Sequence, residues 1–178
     1  MSGYYRFPTI NKSKIVFVSD DDLWQVTLDD SRAIRLTTNL SEVSSPLFSP
    51  NGKSIAYIGT EDGNSEVYTM SSSGGPSKRL TYDGAVASRV AAWNGEDIVF
   101  STDLSQPFGR VSNLAKINKK GGCTNLLEYG ICSNISYGSP GIVLGRNTAD
   151  PARWKRYKGG TAGELWISKD GSINFKKL

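Results

Sequence analysis

Four short apolar runs punctuate a mostly polar chain: Ile15-Val16-Phe17-Val18, Ile55-Ala56-Tyr57-Ile58, Ile98-Val99-Phe100 and Ile142-Val143-Leu144. Runs this short, bounded by turn residues, predict strands buried on both faces. The segments that follow alternate instead. Leu23 and Gln25 oppose Trp24 and Val26, and Leu165 and Ile167 oppose Trp166. That alternation predicts a second kind of strand with two unlike faces. Its recurring bulky residue (Trp24, Tyr68, Trp166, and Leu114 or Ala115) is expected to pack between layers. No segment carries the 3.6-residue apolar period of a helix. Between the runs lie turns with identifiable chemistry. In Ser49-Pro50-Asn51-Gly52-Lys53 the proline fixes φ and Asn-Gly accepts the positive φ of a hairpin. Asn94-Gly95-Glu96-Asp97 and Gly138-Ser139-Pro140-Gly141 occupy the corresponding places.

These elements repeat in a fixed order. Each unit has an apolar strand, a turn (acidic in the first two, Asp20-Asp21-Asp22 and Glu61-Asp62-Gly63), an alternating strand, a second turn and a closing leucine. Arg35-Leu36-Thr37 recurs as Arg79-Leu80-Thr81, and Gly74-Gly75 before Leu80 recurs as Gly121-Gly122 before Leu127. The closing leucines are 36, 80, 127 and 178, spaced by 44, 47 and 51 residues. Such a period is the signature of four-stranded β-propeller blades. The expected fold is therefore all-β: four antiparallel blades over residues 8–40, 41–84, 85–130 and 131–178. Two closures are compatible with four blades, an incomplete larger propeller or a closed four-bladed ring. The later units lengthen through insertions between their second and third strands, 103–110 and 146–163. Insertions of this kind gather on one face of a repeat array, often the binding face.

Composition narrows the options. At 178 residues, with 38% hydrophobic residues, 19 glycines and 7 prolines, the chain suits one domain of short strands and tight turns. No apolar run approaches the ~18 residues needed to span a bilayer, so no membrane partner is expected. The N-terminus lacks the apolar core of a signal peptide, so a cytoplasmic location is expected. Cys123 and Cys132 do not have metal-knuckle spacing, and no histidine exists to complete a metal site. No cofactor is expected. Asp20-Asp21-Asp22 lacks the alternating ligand spacing of a cation loop and fits a solvated turn.

The same lack of histidine removes any Ser-His-Asp triad, so no activity is expected of the chain alone. The formal net charge is +4, with Arg146, Arg153, Lys155, Arg156 and Lys158 crowded near Trp154 and Tyr157. Cations interleaved with aromatics suit peptide carboxylates, which arginine binds bidentately. They also suit nucleic acid, through phosphate pairing and stacking. A packed loop with outward charges is the simpler alternative.

The second unit, from Ser45-Pro46 and Ser49-Pro50-Asn51-Gly52-Lys53 to Arg79-Leu80-Thr81, resembles the WD-type repeat of TolB-like propellers and many peptidases. Asp21-Asp22-Leu23-Trp24, Gln106-Pro107-Phe108 and the tail Asp150-Pro151-Ala152-Arg153-Trp154-Lys155-Arg156-Tyr157-Lys158-Gly159-Gly160-Thr161 narrow the resemblance to tricorn proteases. It covers essentially the whole chain. It implies the first part of a six-bladed N-terminal propeller. In that family a second propeller follows, and then a catalytic serine-peptidase part interrupted by a PDZ domain. Six blades of roughly 44 residues need about 260. These residues therefore supply four blades at most, and the PDZ and catalytic regions have no counterpart among them. The implied role is to gate, dock or channel oligopeptides downstream of the proteasome, within a homo-oligomeric assembly whose other subunits or domains are partners. Nucleic acid then becomes an unexpected partner. The family's basic residues that hold the substrate carboxylate fall near Arg89. The candidate peptide or partner contacts are thus Arg89, Arg110, Arg146, Arg153, Lys155, Arg156 and Lys158.

Overall fold

The computed structural model describes residues 4–38, 41–109, 111–139, 141–148 and 159–178. Within them lie sixteen strands and no helix. The first sheet holds β1 (Arg6–Asn11), β2 (Lys14–Ser19), β3 (Asp22–Thr27) and β4 (Asp30–Arg35). The second holds β5 (Val43–Phe48), β6 (Ser54–Gly59), β7 (Glu66–Ser71) and β8 (Lys78–Arg79). The third holds β9 (Ser88–Asn94), β10 (Asp97–Thr102), β11 (Asn113–Asn118) and β12 (Asn125–Leu126). The fourth holds β13 (Asn134–Gly138), β14 (Gly141–Arg146), β15 (Glu164–Ser168) and β16 (Lys176–Lys177). Each sheet is an antiparallel meander in sequence order, the form of a propeller blade.

Three apolar layers join the four blades. Val16, Val18 and Leu23 of the first blade meet Ile55, Tyr57, Tyr68 and Met70 of the second. Ala56, Ile58 and Val67 meet Ile98, Phe100, Ala115 and Ile117 of the third. Val99 and Leu114 meet Ile135 and Leu144 of the fourth. The continuous apolar runs are explained by this arrangement. Ile55 and Tyr57 enter one layer, while Ala56 and Ile58 enter the next. A strand between two blades must be apolar at every position, because its side chains alternate between two dry faces.

Register is the same in all four blades. Ile15, Ile55, Ile98 and Ile142 pair with Ile10, Phe48, Trp93 and Tyr137 of the preceding strand. At the other side, the amides of Leu36, Leu80, Leu127 and Leu178 donate to the carbonyls of Leu23, Val67, Leu114 and Leu165. The leucines that mark the period are thus the residues that dock each outer strand on its blade.

The first strands stack in turn, β1 on β5, β5 on β9 and β9 on β13. The ring does not close, which corrects the closed four-bladed alternative. The outward faces of the two end blades remain uncovered: Ile10 is 60% exposed and Leu165 50%. Trp24 lies half-buried on the uncovered face of the first blade rather than between two blades, with its Nε1 donating to the Ser19 carbonyl at 3.0 Å. The turn at Ser49–Lys53 forms as its residues dictate. Gly52 takes φ +69°, and the Lys53 amide donates to Asn51 Oδ1 at 3.0 Å.

Candidate functional site at the axial opening

The first strands of the first three blades share a bulge. Register slips between Arg6 and Thr9, between Ser44 and Leu47, and at Ala91. In the first two blades the bulge is an X-Pro pair, Phe7-Pro8 and Ser45-Pro46, with φ +50° at both Phe7 and Ser45. A bulge bends its strand and leaves a residue unpaired, and non-glycine residues at positive φ store strain. Proline also removes a backbone donor from the strand edge. These bulges line an axial cavity of about 180 Å³, walled by Phe7, Pro8, Ser45, Pro46, Arg89 and Asn134 among others. Four blades therefore contribute their innermost strands to one opening.

Arg89 is the one charged group among the described lining residues. It is the second residue of β9, opposite Ser101, and its side chain is exposed. Among the described residues, no carboxylate or carbonyl pairs with its guanidinium. The lining around it mixes apolar Pro8, Pro46, Leu47 and Val90 with polar Ser45 and Asn134. An unpaired guanidinium in such an opening suits a carboxylate, bound bidentately.

The insertions leave the blades on this same face. Ser88 pairs with Thr102, so β10 ends where β9 begins, and residues 103–112 depart beside Arg89. Asn134 pairs with Gly145, so β14 likewise ends where β13 begins. The Asp103 carboxylate accepts from the amides of Val86 and Ala87 at 3.1 and 3.2 Å, stapling the start of the insertion to the link that precedes β9. Asn134 Nδ2 donates to Thr148 Oγ1 at 2.6 Å, just past the end of β14.

A repeated polar clamp holds the links on this face. Buried Asp22 binds Arg35 and accepts from Thr37 Oγ1 at 2.6 Å, while Thr37 Oγ1 accepts from the Leu23 amide at 2.9 Å. Buried Glu66 binds Arg79 at 3.2 Å and accepts from Thr81 Oγ1, which accepts from the Val67 amide at 2.9 Å. Glu66 also accepts from the amides of Asp83 and Gly84 at 3.2 and 2.9 Å. The repeated Arg-Leu-Thr is therefore one device: leucine docks the strand, arginine neutralises a buried carboxylate and threonine donates a hydrogen bond to it. Lys177 on Glu164 at 2.5 Å keeps the charge pair of this device in the fourth blade, and Leu126 replaces the arginine in the third.

The match to known families decides between readings of this propeller arc. The model of the tricorn protease N-terminal β-propeller domain matches residues 2–178. The chain belongs to the tricorn N-terminal propeller family. A tricorn protease homologue of Saccharolobus solfataricus is 40% identical over all of this chain and 17% of its own length. A tricorn-like protease N-terminal subunit of Sulfurisphaera tokodaii is 39% identical over 96% of this chain and 89% of its own. The crystal structure of the tricorn protease superposes with a TM-score of 0.84 at 29% identity, over 99% of this chain and 18% of that one. The chain thus spans under a fifth of one relative and most of the other.

Within this tricorn-type propeller the two described candidates have different surroundings. Arg89 lines the axial opening. Arg146 donates to the carbonyls of Ile131 and Tyr129, both at 3.0 Å, and stands 4.9 Å from the Trp166 ring. Arg110, Arg153, Lys155, Arg156 and Lys158 lie outside the described residues. The X-Pro bulges and Asn134 were not among the sequence candidates. Their signal was present in the X-Pro pairs Phe7-Pro8 and Ser45-Pro46, each starting three residues ahead of the position that pairs with the blade's first isoleucine.

Proposed function

We propose that this chain is the non-catalytic propeller portion of a tricorn-type serine peptidase, which docks and passes oligopeptides through its axial opening. It works in the cytoplasm alongside other subunits or domains of a peptidase assembly. The observation that carries this reading is the Arg89 guanidinium on the bulged wall of the opening, with no carboxylate paired to it among the described residues. Such a group favours the terminal carboxylate of a peptide over its amide. Arg110, Arg153, Lys155, Arg156 and Lys158 are further candidate contacts by their charge alone. The family membership supplies the peptidase context, and the Sulfurisphaera tokodaii subunit supports a propeller portion carried as a separate polypeptide. Chemistry belongs elsewhere in the assembly, since a chain without histidine cannot build a Ser-His-Asp triad.

Calorimetric titration of the full chain with a free-acid hexapeptide and its C-terminal amide tests the reading. The free acid is expected to bind at least about tenfold more tightly, and Arg89→Gln to erase that difference. Equal binding of acid and amide, or a preference untouched by Arg89→Gln, overturns it.

A further inference from the structure

Asn134 shares the axial opening with Arg89. Arg89 reaches it from β9 and Asn134 from β13, two innermost strands that stack on one another. Their chemistry differs. A guanidinium only donates, whereas a primary amide donates through Nδ2 and accepts through Oδ1. The two ends of the Asn134 amide have unlike surroundings. Nδ2 donates to Thr148 Oγ1 at 2.6 Å and to Ser133 Oγ at 3.4 Å. Oδ1 has no partner among the described residues.

The hold on Nδ2 depends on the facing strand. Asn134 stands opposite Gly145 across the β13–β14 pair. A Cβ on Gly145 would lie 2.5 Å from Thr148 Oγ1 and 3.1 Å from Asn134 Cβ. Gly145 is not in the left-handed region, so glycine supplies space here and not conformation. The missing side chain lets the Thr148 hydroxyl reach the Asn134 amide and set which way it faces. The opening therefore combines a cationic donor with an oriented acceptor one strand away.

The last residue of a peptide carries the complementary pair. Its carboxylate accepts, its N–H donates, and a single Cα separates the two. We propose that Asn134 Oδ1 accepts the N–H of the last residue of a bound peptide while Arg89 holds its carboxylate. The inference rests on the carboxylate reading of Arg89 and adds a second requirement: the ligand ends in a secondary amide and is not simply a carboxylic acid. A peptide ending in proline lacks that N–H and is disfavoured. Thr148 acts through Asn134 as a positioning residue.

Three ligands test this by calorimetric titration into the full chain. They are a hexapeptide free acid, its C-terminal amide, and a depsipeptide in which an ester oxygen replaces the last N–H. The depsipeptide keeps the carboxylate and every side chain and loses the donor. The wild-type chain is expected to bind it about fivefold more weakly than the free acid, the effect of one hydrogen bond. In Asn134→Ala the two are expected to bind equally. Thr148→Val, which frees the amide to turn, is expected to shrink the ratio with Asn134 still present. A loss of structure alone would weaken both ligands together and leave their ratio unmoved. Far-UV circular dichroism checks folding, and Thr148→Val decides if Asn134→Ala does not fold. A depsipeptide that binds the wild-type chain as tightly as the free acid overturns the role of Asn134, and so does a penalty that persists in the variants. If the free acid still outbinds the C-terminal amide, the Arg89 reading stands by itself. Equal binding of acid and amide overturns both.

Discussion

The hydroxyl of Thr81 donates to the buried carboxylate of Glu66, fifteen residues earlier, and accepts from the Val67 amide. Thr37 does the same for Asp22 and Leu23 in the preceding blade. One hydroxyl thus satisfies a buried charge and a buried amide at once. Thr81→Val keeps the shape and removes both bonds. It is expected to lower stability by about 1–3 kcal/mol, the cost of stranding buried polar groups. Thr37→Val should cost a similar amount, and urea unfolding of each variant measures it.

The same carboxylate makes stability depend on pH. Burial pushes the Glu66 carboxyl up, but the Thr81 hydroxyl, the Gly84 and Asp83 amides and Arg79 together outweigh it and hold it below the ordinary 4.5. A carboxyl lowered in the folded state stabilises the fold above its ordinary value and loses that contribution as pH falls through the folded value. Stability of the wild-type chain should therefore drop below about pH 4.5, and that of Glu66→Gln should drop less steeply. Asp97, held low first by Asn118 and also by Lys116, keeps part of the slope in both proteins. Urea midpoints between pH 3 and 7 compare the two.

Two hairpin glycines differ in what surrounds them. A Cβ on Gly141, at φ +134°, would strike the backbone carbonyl of Ser168. A Cβ on Gly95, at φ +60°, meets nothing within 4 Å. Gly95→Ala should cost about 1 kcal/mol for its backbone conformation alone. Gly141→Ala should cost clearly more, because β15 must move away from β14. Chemical denaturation of the pair checks the order.

Arg146 and Arg89 should separate in a stability measurement. Arg146→Ala removes two hydrogen bonds to the 129–131 segment and a cation–π contact with Trp166. A loss of about 1–2 kcal/mol is expected. Arg89→Ala, with no described partner to lose, should stay within about 0.5 kcal/mol of wild type. Thermal unfolding of the two variants side by side decides this.

Much of the fold was legible in the sequence because propeller blades repeat their physics. The four isoleucines that open the apolar runs hold equivalent register positions, and the amides of the four leucines of the period donate the same backbone hydrogen bond. The site was less legible. Arg89 was a candidate through the resemblance, but nothing local distinguishes it from other exposed arginines. Its setting arises from strands of four blades converging, which no short window contains. The bulges escaped notice because Phe7-Pro8 and Ser45-Pro46 resemble loop punctuation until their register is known. Trp24 illustrates the converse. Its alternation placed it correctly on one face of β3, yet whether another blade covers that face is decided by the neighbour alone.

The central claim is that this propeller binds oligopeptides and does not cut them. Mass spectrometry of a free-acid oligopeptide incubated with the purified chain, before and after separating bound from free peptide, reads both properties together. The account predicts peptide retained by the chain and recovered intact. Cleaved peptide, with cleavage abolished by a serine-directed inhibitor, would contradict it, as would a peptide that is never retained.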